Sequence, residues 1–287
     1  MNKPLDVYIN TPLGHKLSLT VFKPKTSIKK SIVISSATGV LQHYYYKFAT
    51  HFSELGYTVF SFDYSGIGKS NSSIKDLKRS TIDIKDWGEN DQTAVSAYAK
   101  SQNPQHKLIM VTHSIGGQIL GFNKNISQVD ALITVASQSG YWKYWKGFER
   151  IKMYLFWHIL IPTLTPLFGY FPAKKLKLFE NLPKRMVYQW AHWGKHKDYI
   201  LSEFNSEKLH FKNYNKHLLS LSFPKDEYAS KIAVDWLANQ FINAKLDRRH
   251  IVPKDLGIQN IGHFGFFRSK FKNSLWKMTH LWIEEHS

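Results

Sequence analysis

Ser114 stands where a nucleophile belongs. In Lys107-Leu-Ile-Met-Val-Thr-His-Ser-Ile-Gly-Gly-Gln-Ile-Leu-Gly121 a short apolar run stops at a serine and small residues follow at once. Leu108 to Val111 reads as a strand buried on both faces. Gly116, Gly117 and Gly121 remove side-chain bulk where a helix has to leave that strand by a tight turn, which sets the Ser114 hydroxyl on a strained elbow pointing into open space. Such a hydroxyl is a weak nucleophile near neutral pH and needs a base. Histidine serves, because an unperturbed pKa of about 6.5 leaves imidazole largely neutral there. Thr112 stands where the G-x-S-x-G elbow has its first glycine, so the spacing matches and one residue departs. A buried strand-to-helix turn with an idle hydroxyl can show the same five residues, and the rest of the chain has to decide between the two.

The elements that would position Ser114 alternate along the chain. Val7 to Asn10 and Leu17 to Phe22 form a hairpin around Thr11-Pro-Leu-Gly14. Ser31 to Ser35 is a buried-type strand, followed by a helix from about Tyr44 to Leu55 that Gly56 ends. Then come a strand from Tyr57 to Phe62, a helix from Ile82 to Ala99, the elbow strand and a further strand from Ala131 to Ala136. Strand, helix, strand in this rhythm implies a parallel sheet covered on both faces. Between Gln138 and about Leu209 the rhythm lapses into an aromatic segment broken by Pro162, Pro166, Pro172 and Pro183. It returns with a strand from Leu218 to Phe223, a helix from about Ser230 to Asn243 and a last helix from about Ser274 to Glu285. The predicted organisation is an α/β core over 1–140 and 210–287 with a helical, aromatic-rich cap insertion at 141–209. The longest apolar stretch, Met153 to Phe171, contains His158 and two prolines and is too short for a membrane span, so it is predicted to be a buried or half-buried insertion helix.

Composition narrows the classes. The 287 residues are 43% hydrophobic and 15% aromatic, enough for a large core, and there is no cysteine for a disulfide framework or a thiolate metal site. Met1-Asn-Lys-Pro-Leu has no apolar run behind its lysine, and the chain reads as cytoplasmic. The 39 Lys and Arg against 21 Asp and Glu give +18, which favours anionic partners at long range. These cations are scattered and carry no nucleic-acid signature, so no specific nucleic acid is expected, while aromatics beside lysines admit a peripheral contact with an anionic membrane.

Four ordered motifs now have places: Asp63-Tyr-Ser-Gly-Ile-Gly-Lys-Ser70, the Ser114 elbow, Ser-Phe-Pro-Lys-Asp226 after a late strand, and Ile-Gly-His263-Phe-Gly. On these the chain resembles the α/β-hydrolases, in particular the serine aminopeptidase and monoacylglycerol-lipase-like branch, from about Val21 to Glu284. The resemblance implies an α/β-hydrolase fold and a triad of Ser114, His263 and Asp226, in the fold's chain order of serine, acid, histidine. His113 is too close to Ser114 to be its base and is read as shaping the site. Glu227 could also reach His263, but Asp226 aligns with the family's acid. One oxyanion donor would be the N–H of Ile115, the residue after the nucleophile, and by similarity the second is the N–H of Thr38. Asp63 and its glycines would brace that second loop. The expected activity is hydrolysis of a carboxylic ester, a small-molecule substrate with an apolar acyl or alcohol part or a lipid-like one, through an acyl-enzyme, with no cofactor and no metal. Amide or thioester hydrolysis and acyl transfer use the same frame. From another class, a basic binding protein for anionic lipid or nucleic acid could keep the fold without turnover.

Overall fold

The computed structural model describes residues 3–71, 73–257 and 260–287. β1 (Leu5–Asn10) and β2 (Lys16–Phe22) form an antiparallel hairpin, and β2 runs antiparallel to β4 (Thr58–Phe62). β3 (Lys30–Ser35), β5 (Lys107–His113), β6 (Ala131–Val135), β7 (His217–Ser222) and β8 (Lys245–His250) continue the sheet with parallel pairings only. The eight strands lie in the order β1-β2-β4-β3-β5-β6-β7-β8. This is the α/β-hydrolase architecture that the motifs imply.

Each central strand divides its side chains between two apolar layers. In β5, Leu108 and Met110 join the layer that holds α2 (residues 84–102) through Trp87, Val95 and Ala99. Ile109 and Val111 face the opposite layer, where Phe48 and Phe52 of α1 (Tyr46–Glu54) meet Trp282 and Ile283 near the chain end. Period-two geometry sends successive residues to opposite faces, and a strand buried on both sides must be apolar throughout. The register then puts the carboxyl ends of β3, β5 and β6 side by side, with Ser35 opposite Thr112 and His113 opposite Val135. Ser114 follows directly.

One end of the sheet differs from the expectation. The helix predicted over 230–243 stops at Ala238, and after six intervening residues the chain enters β8, Lys-Leu-Asp-Arg-Arg-His, which the sequence pattern does not announce. As an edge strand paired with β7 alone it has no apolar face to bury. Between β6 and β7, Gly147–Phe168 forms one helix of 22 residues whose inner side is buried at Trp157, Ile161 and Thr165 and whose outer side is exposed, so the expected buried or half-buried helix is half-buried. Its middle turn, Phe156–Leu160, is π-helical. Pro162 has no N–H to donate and its ring crowds the carbonyl four residues back, that of His158, which accounts for the widened turn.

Candidate active site

Ser114 sits at the turn between β5 and α3 (Ile115–Gln118) with φ 52° and ψ −114°, a backbone region that side chains rarely occupy. Its N–H donates to the carbonyl of Val135 at 3.0 Å, which ties the elbow to the end of β6. The glycines that follow answer a packing demand. A Cβ at Gly116 would lie 2.6 Å from the Ser35 carbonyl oxygen, and one at Gly117 would lie 2.3 Å from Ser137 Oγ. Thr112, the residue that departs from the elbow pattern, is fully buried and directs its hydroxyl to the Ile133 carbonyl at 3.3 Å.

Asp226 and His263 are 37 residues apart and meet as a buried pair. His263 Nδ1–H donates to both carboxylate oxygens of Asp226, each at 3.0 Å. A carboxylate can only accept, so the proton is on Nδ1 and Nε2 is left with its lone pair free. Asp226 Oδ1 also accepts the N–H groups of Tyr228 (2.8 Å) and Ala229 (2.9 Å), which fixes the carboxylate. Glu227 points away, with its side chain 62% exposed beside Lys152.

His113 joins the two halves of the site. Tyr45 Oη accepts the Ala37 N–H at 2.8 Å and lies 2.9 Å from His113 Nδ1, while His113 Nε2 lies 3.0 Å from the His263 carbonyl oxygen. That carbonyl can only accept. His113 therefore carries its proton on Nε2 and donates it to the His263 backbone, with Nδ1 accepting from the tyrosine. Burial pushes the His113 pKa well below the usual histidine value, so the ring is a neutral brace rather than a charge. The His113 and His263 rings pack with centroids 5.0 Å apart.

Ser114 Oγ is not bonded to His263 among the described residues. It faces Gln138 Oε1 at 3.5 Å, where Gln118 Nε2 also donates at 3.1 Å. Gln138 Nε2 in turn donates to the Tyr228 carbonyl at 2.8 Å, and the Tyr228 ring lies 5.3 Å from that of His263. From the segment between β6 and β7, Tyr199 Oη donates to Gln118 Oε1 at 2.6 Å and accepts from Trp190 Nε1 at 2.9 Å. Gln118, Gln138, Tyr199 and Tyr228 are absent from the sequence-level site. Gln118 lies in the elbow stretch without a role read there, and only the fold brings Gln138, Tyr199 and Tyr228 to Ser114.

The two candidate oxyanion donors are both unoccupied among the described residues. Ile115 N–H opens a helix and has no intrahelical acceptor. Ala37 N–H is taken by Tyr45, whereas Thr38 N–H has no partner among the described residues, and Thr38 Oγ1 is buried without one. Asp63 sits behind this loop, where its carboxylate accepts the N–H groups of Gln42 (2.8 Å) and Lys69 (3.0 Å). Burial raises the pKa of that carboxyl, and the backbone donors oppose the rise. The loop is also covered from the 141–209 side. Glu180 N–H donates to the Gly39 carbonyl at 3.0 Å, and a Cβ at Gly39 would meet Phe179 at 2.7 Å. Ser114, Asp226 and His263 are 6%, 8% and 7% exposed, a closed site in this state.

A mostly parallel eight-stranded sheet with a serine elbow at the end of β5 defines an α/β-hydrolase. The family model for serine aminopeptidase, S33, matches residues 26–189, more than half of the chain, and the chain belongs to that family. Its fold is shared by a soluble variant of the monoglyceride lipase of Saccharomyces cerevisiae, at 13% identity and TM-score 0.68 over 100% of this chain and 96% of that one. A thermostable carboxyl esterase of Bacillus coagulans gives 13% identity and TM-score 0.68 over 100% and 99%. The Pyrococcus furiosus esterase PF2001 gives 14% and 0.62 over 99% and 91%. At such identities the likeness shows the fold alone. No curated protein matches the chain in sequence.

Proposed function

We propose that this hydrolase is a serine esterase that cleaves carboxylic esters with an apolar acyl or alcohol part through an acyl-enzyme. The observation that carries the reading is the buried Asp226–His263 pair, whose free Nε2 belongs to a residue held by the neighbour of a strained serine. Rotation of Ser114 about Cα–Cβ turns its hydroxyl from Gln138 toward His263. As Ser114 Oγ attacks the ester carbonyl, His263 Nε2 takes the proton and Asp226 stabilises the imidazolium. Ile115 and Thr38 N–H groups receive the charge on the carbonyl oxygen. The protonated His263 then gives its proton to the departing alcohol, and water repeats the sequence on the acyl-enzyme to release the acid. The segment at 141–209 would serve as the cap over this site.

A fluorophosphonate probe tests the nucleophile, since only an activated serine reacts. Wild-type protein should label, and Ser114→Ala should neither label nor turn over ester while keeping its circular dichroism spectrum. His263→Ala should lose nearly as much, because the members of a triad act as a unit. Labelling that persists in Ser114→Ala would overturn the assignment. A panel of matched ester, thioester and amide substrates separates esterase from its rivals on the same frame, with the ester expected to be fastest.

A further inference from the structure

The helix Gly147–Phe168, α4, turns a large apolar surface outward. Phe148, Ile151, Tyr154, Leu155, Ile159 and Leu167 are 40 to 73% exposed. Four of them, at 148, 151, 155 and 159, fall three or four residues apart and so form one stripe along the helix. From Met153 to Phe168 there is no Asp, Glu, Lys or Arg. The opposite side is fixed to the protein. Trp157, Ile161 and Thr165 are buried there, and Trp157 Nε1–H donates to the Gly140 carbonyl at 2.9 Å while its ring packs edge-on against Trp190. An exposed face of this size on a folded chain marks a surface with an occupant.

Charge selects that occupant. Lys143, Lys146 and Arg150 flank the first turns of α4, and Arg150 lies over the Trp142 ring at 5.3 Å. At the other end Lys175 sits over Phe168 at 4.7 Å, Lys177 follows it, and the Lys78 stem approaches Gly169, where a Cβ would meet it at 3.4 Å. None of these six cations has an acidic partner among the described residues, whereas the nearby Glu149, Glu227 and Glu180 are paired with Lys152 and Lys174. A second copy of a chain at +18 would bring like charges to both ends of the stripe. Nucleic acid supplies negative charge but no apolar phase. An anionic bilayer supplies both, in the layered order that the stripe and its flanking cations present.

We infer that α4 docks on an anionic lipid bilayer, lying in the interfacial plane with its stripe toward the acyl chains and the cations of both ends among the headgroups. It lies on the membrane and does not cross it. A span needs about 20 apolar residues and bare sides, whereas α4 contains His158, Pro162 and Pro166 and is packed along its inner face. Gly140, which holds Trp157, is two residues past Gln138, the partner of Ser114. The inference does not depend on turnover.

Flotation of the full chain with vesicles tests it directly, using phosphatidylcholine alone and phosphatidylcholine with about 30% phosphatidylglycerol. The wild type should float with the anionic vesicles and bind the neutral ones roughly tenfold less. Ile151→Asp with Ile159→Asp should lower binding to anionic vesicles by roughly tenfold or more, through the cost of placing charge in the apolar layer. Lys175→Glu with Lys177→Glu should weaken binding to the anionic vesicles and leave the neutral ones unchanged. Thermal melts followed by circular dichroism check that both variants are folded, so a docking failure stays distinct from loss of fold or of hydrolysis. A wild type that remains unbound, or an Ile151→Asp, Ile159→Asp protein that floats like it, would overturn the inference. So would a lipid-free dimer in sedimentation equilibrium that this variant breaks, since the face would then belong to a second copy.

Discussion

Asp226 and Glu227 are adjacent in the chain and meet opposite surroundings, which makes the acid of the site a testable choice. Asp226 Oδ1 is held by two backbone N–H groups, so in Asp226→Asn the amide oxygen takes that place and the NH2 group turns to His263. His263 Nδ1 would then have to accept, its proton would move to Nε2, and the ring could no longer receive the serine proton. Turnover should fall roughly a thousandfold or more with the fold retained. Glu227→Gln, which alters only an exposed contact with Lys152 at 3.8 Å, should stay within about twofold of wild type. Steady-state rates of the two variants decide it, and the opposite ranking would place the acid one residue later. At this scale the sequence displays Ser114, Asp226 and His263, because each sits in a short motif whose neighbours share its geometric duty. It conceals Tyr45, Gln118, Gln138 and Tyr199. The contacts that bring them together span 20 to 81 residues and impose no local pattern.

Strands declare themselves where both faces are buried, and the central five do. β8 does not, for a polar edge strand resembles a loop until a neighbour pairs with it. In α4 the apolar run serves two faces at once, an inner one that the protein covers and an outer one left exposed, and hydropathy alone does not divide them. The remaining aromatics of 141–209 do pack inward. Trp157, Phe171, Trp190, Trp193 and Tyr199 join the same apolar layer as Leu108 and Trp87 of the core, which ties the segment to the sheet as a continuous packing unit. A proposed cap built this way would wall the acyl side of the site with apolar side chains, since Tyr199 reaches Gln118 and Gln118 reaches Gln138. On p-nitrophenyl esters kcat/KM should therefore rise with acyl length beyond acetate, each methylene buried adding up to about 0.8 kcal/mol, or about fourfold, until the pocket is full. A series from acetate to decanoate measures this. A steady fall from acetate upward would mean a small closed acyl site, with the aromatics serving only to pack the segment.

For the molecule as a whole, the elbow and the layer beneath it depend on a buried acid. Asp91 is fully buried in the π-helical turn Trp87–Gln92 of α2, where Oδ2 accepts from Ser65 N and Oγ at 2.8 Å each and Oδ1 has no partner among the described residues. The adjacent Gln92 donates to the Gly116 carbonyl at 2.7 Å, so this turn supports the residue two past the nucleophile. Burial raises the Asp91 pKa from 3.8 to about 7. The folded state thus holds a proton that the unfolded chain releases near pH 4, and between those values the folded state binds more protons than the unfolded one. Stability from this group falls as pH rises through about 4 to 7 and is level above, a loss of up to about 4 kcal/mol. His113 has the opposite sign, since its lowered pKa costs stability as pH falls below about 6.5. Comparing wild type with Asp91→Asn cancels His113 and isolates the acid. The Asn oxygen can accept both Ser65 donors and cannot ionise, so the variant should gain on the wild type from pH 5 to pH 8 by up to about 3 kcal/mol. Urea unfolding at pH 5, 6, 7 and 8 measures the difference at each point. A constant gap across that range would mean that Asp91 stays ionised in the fold.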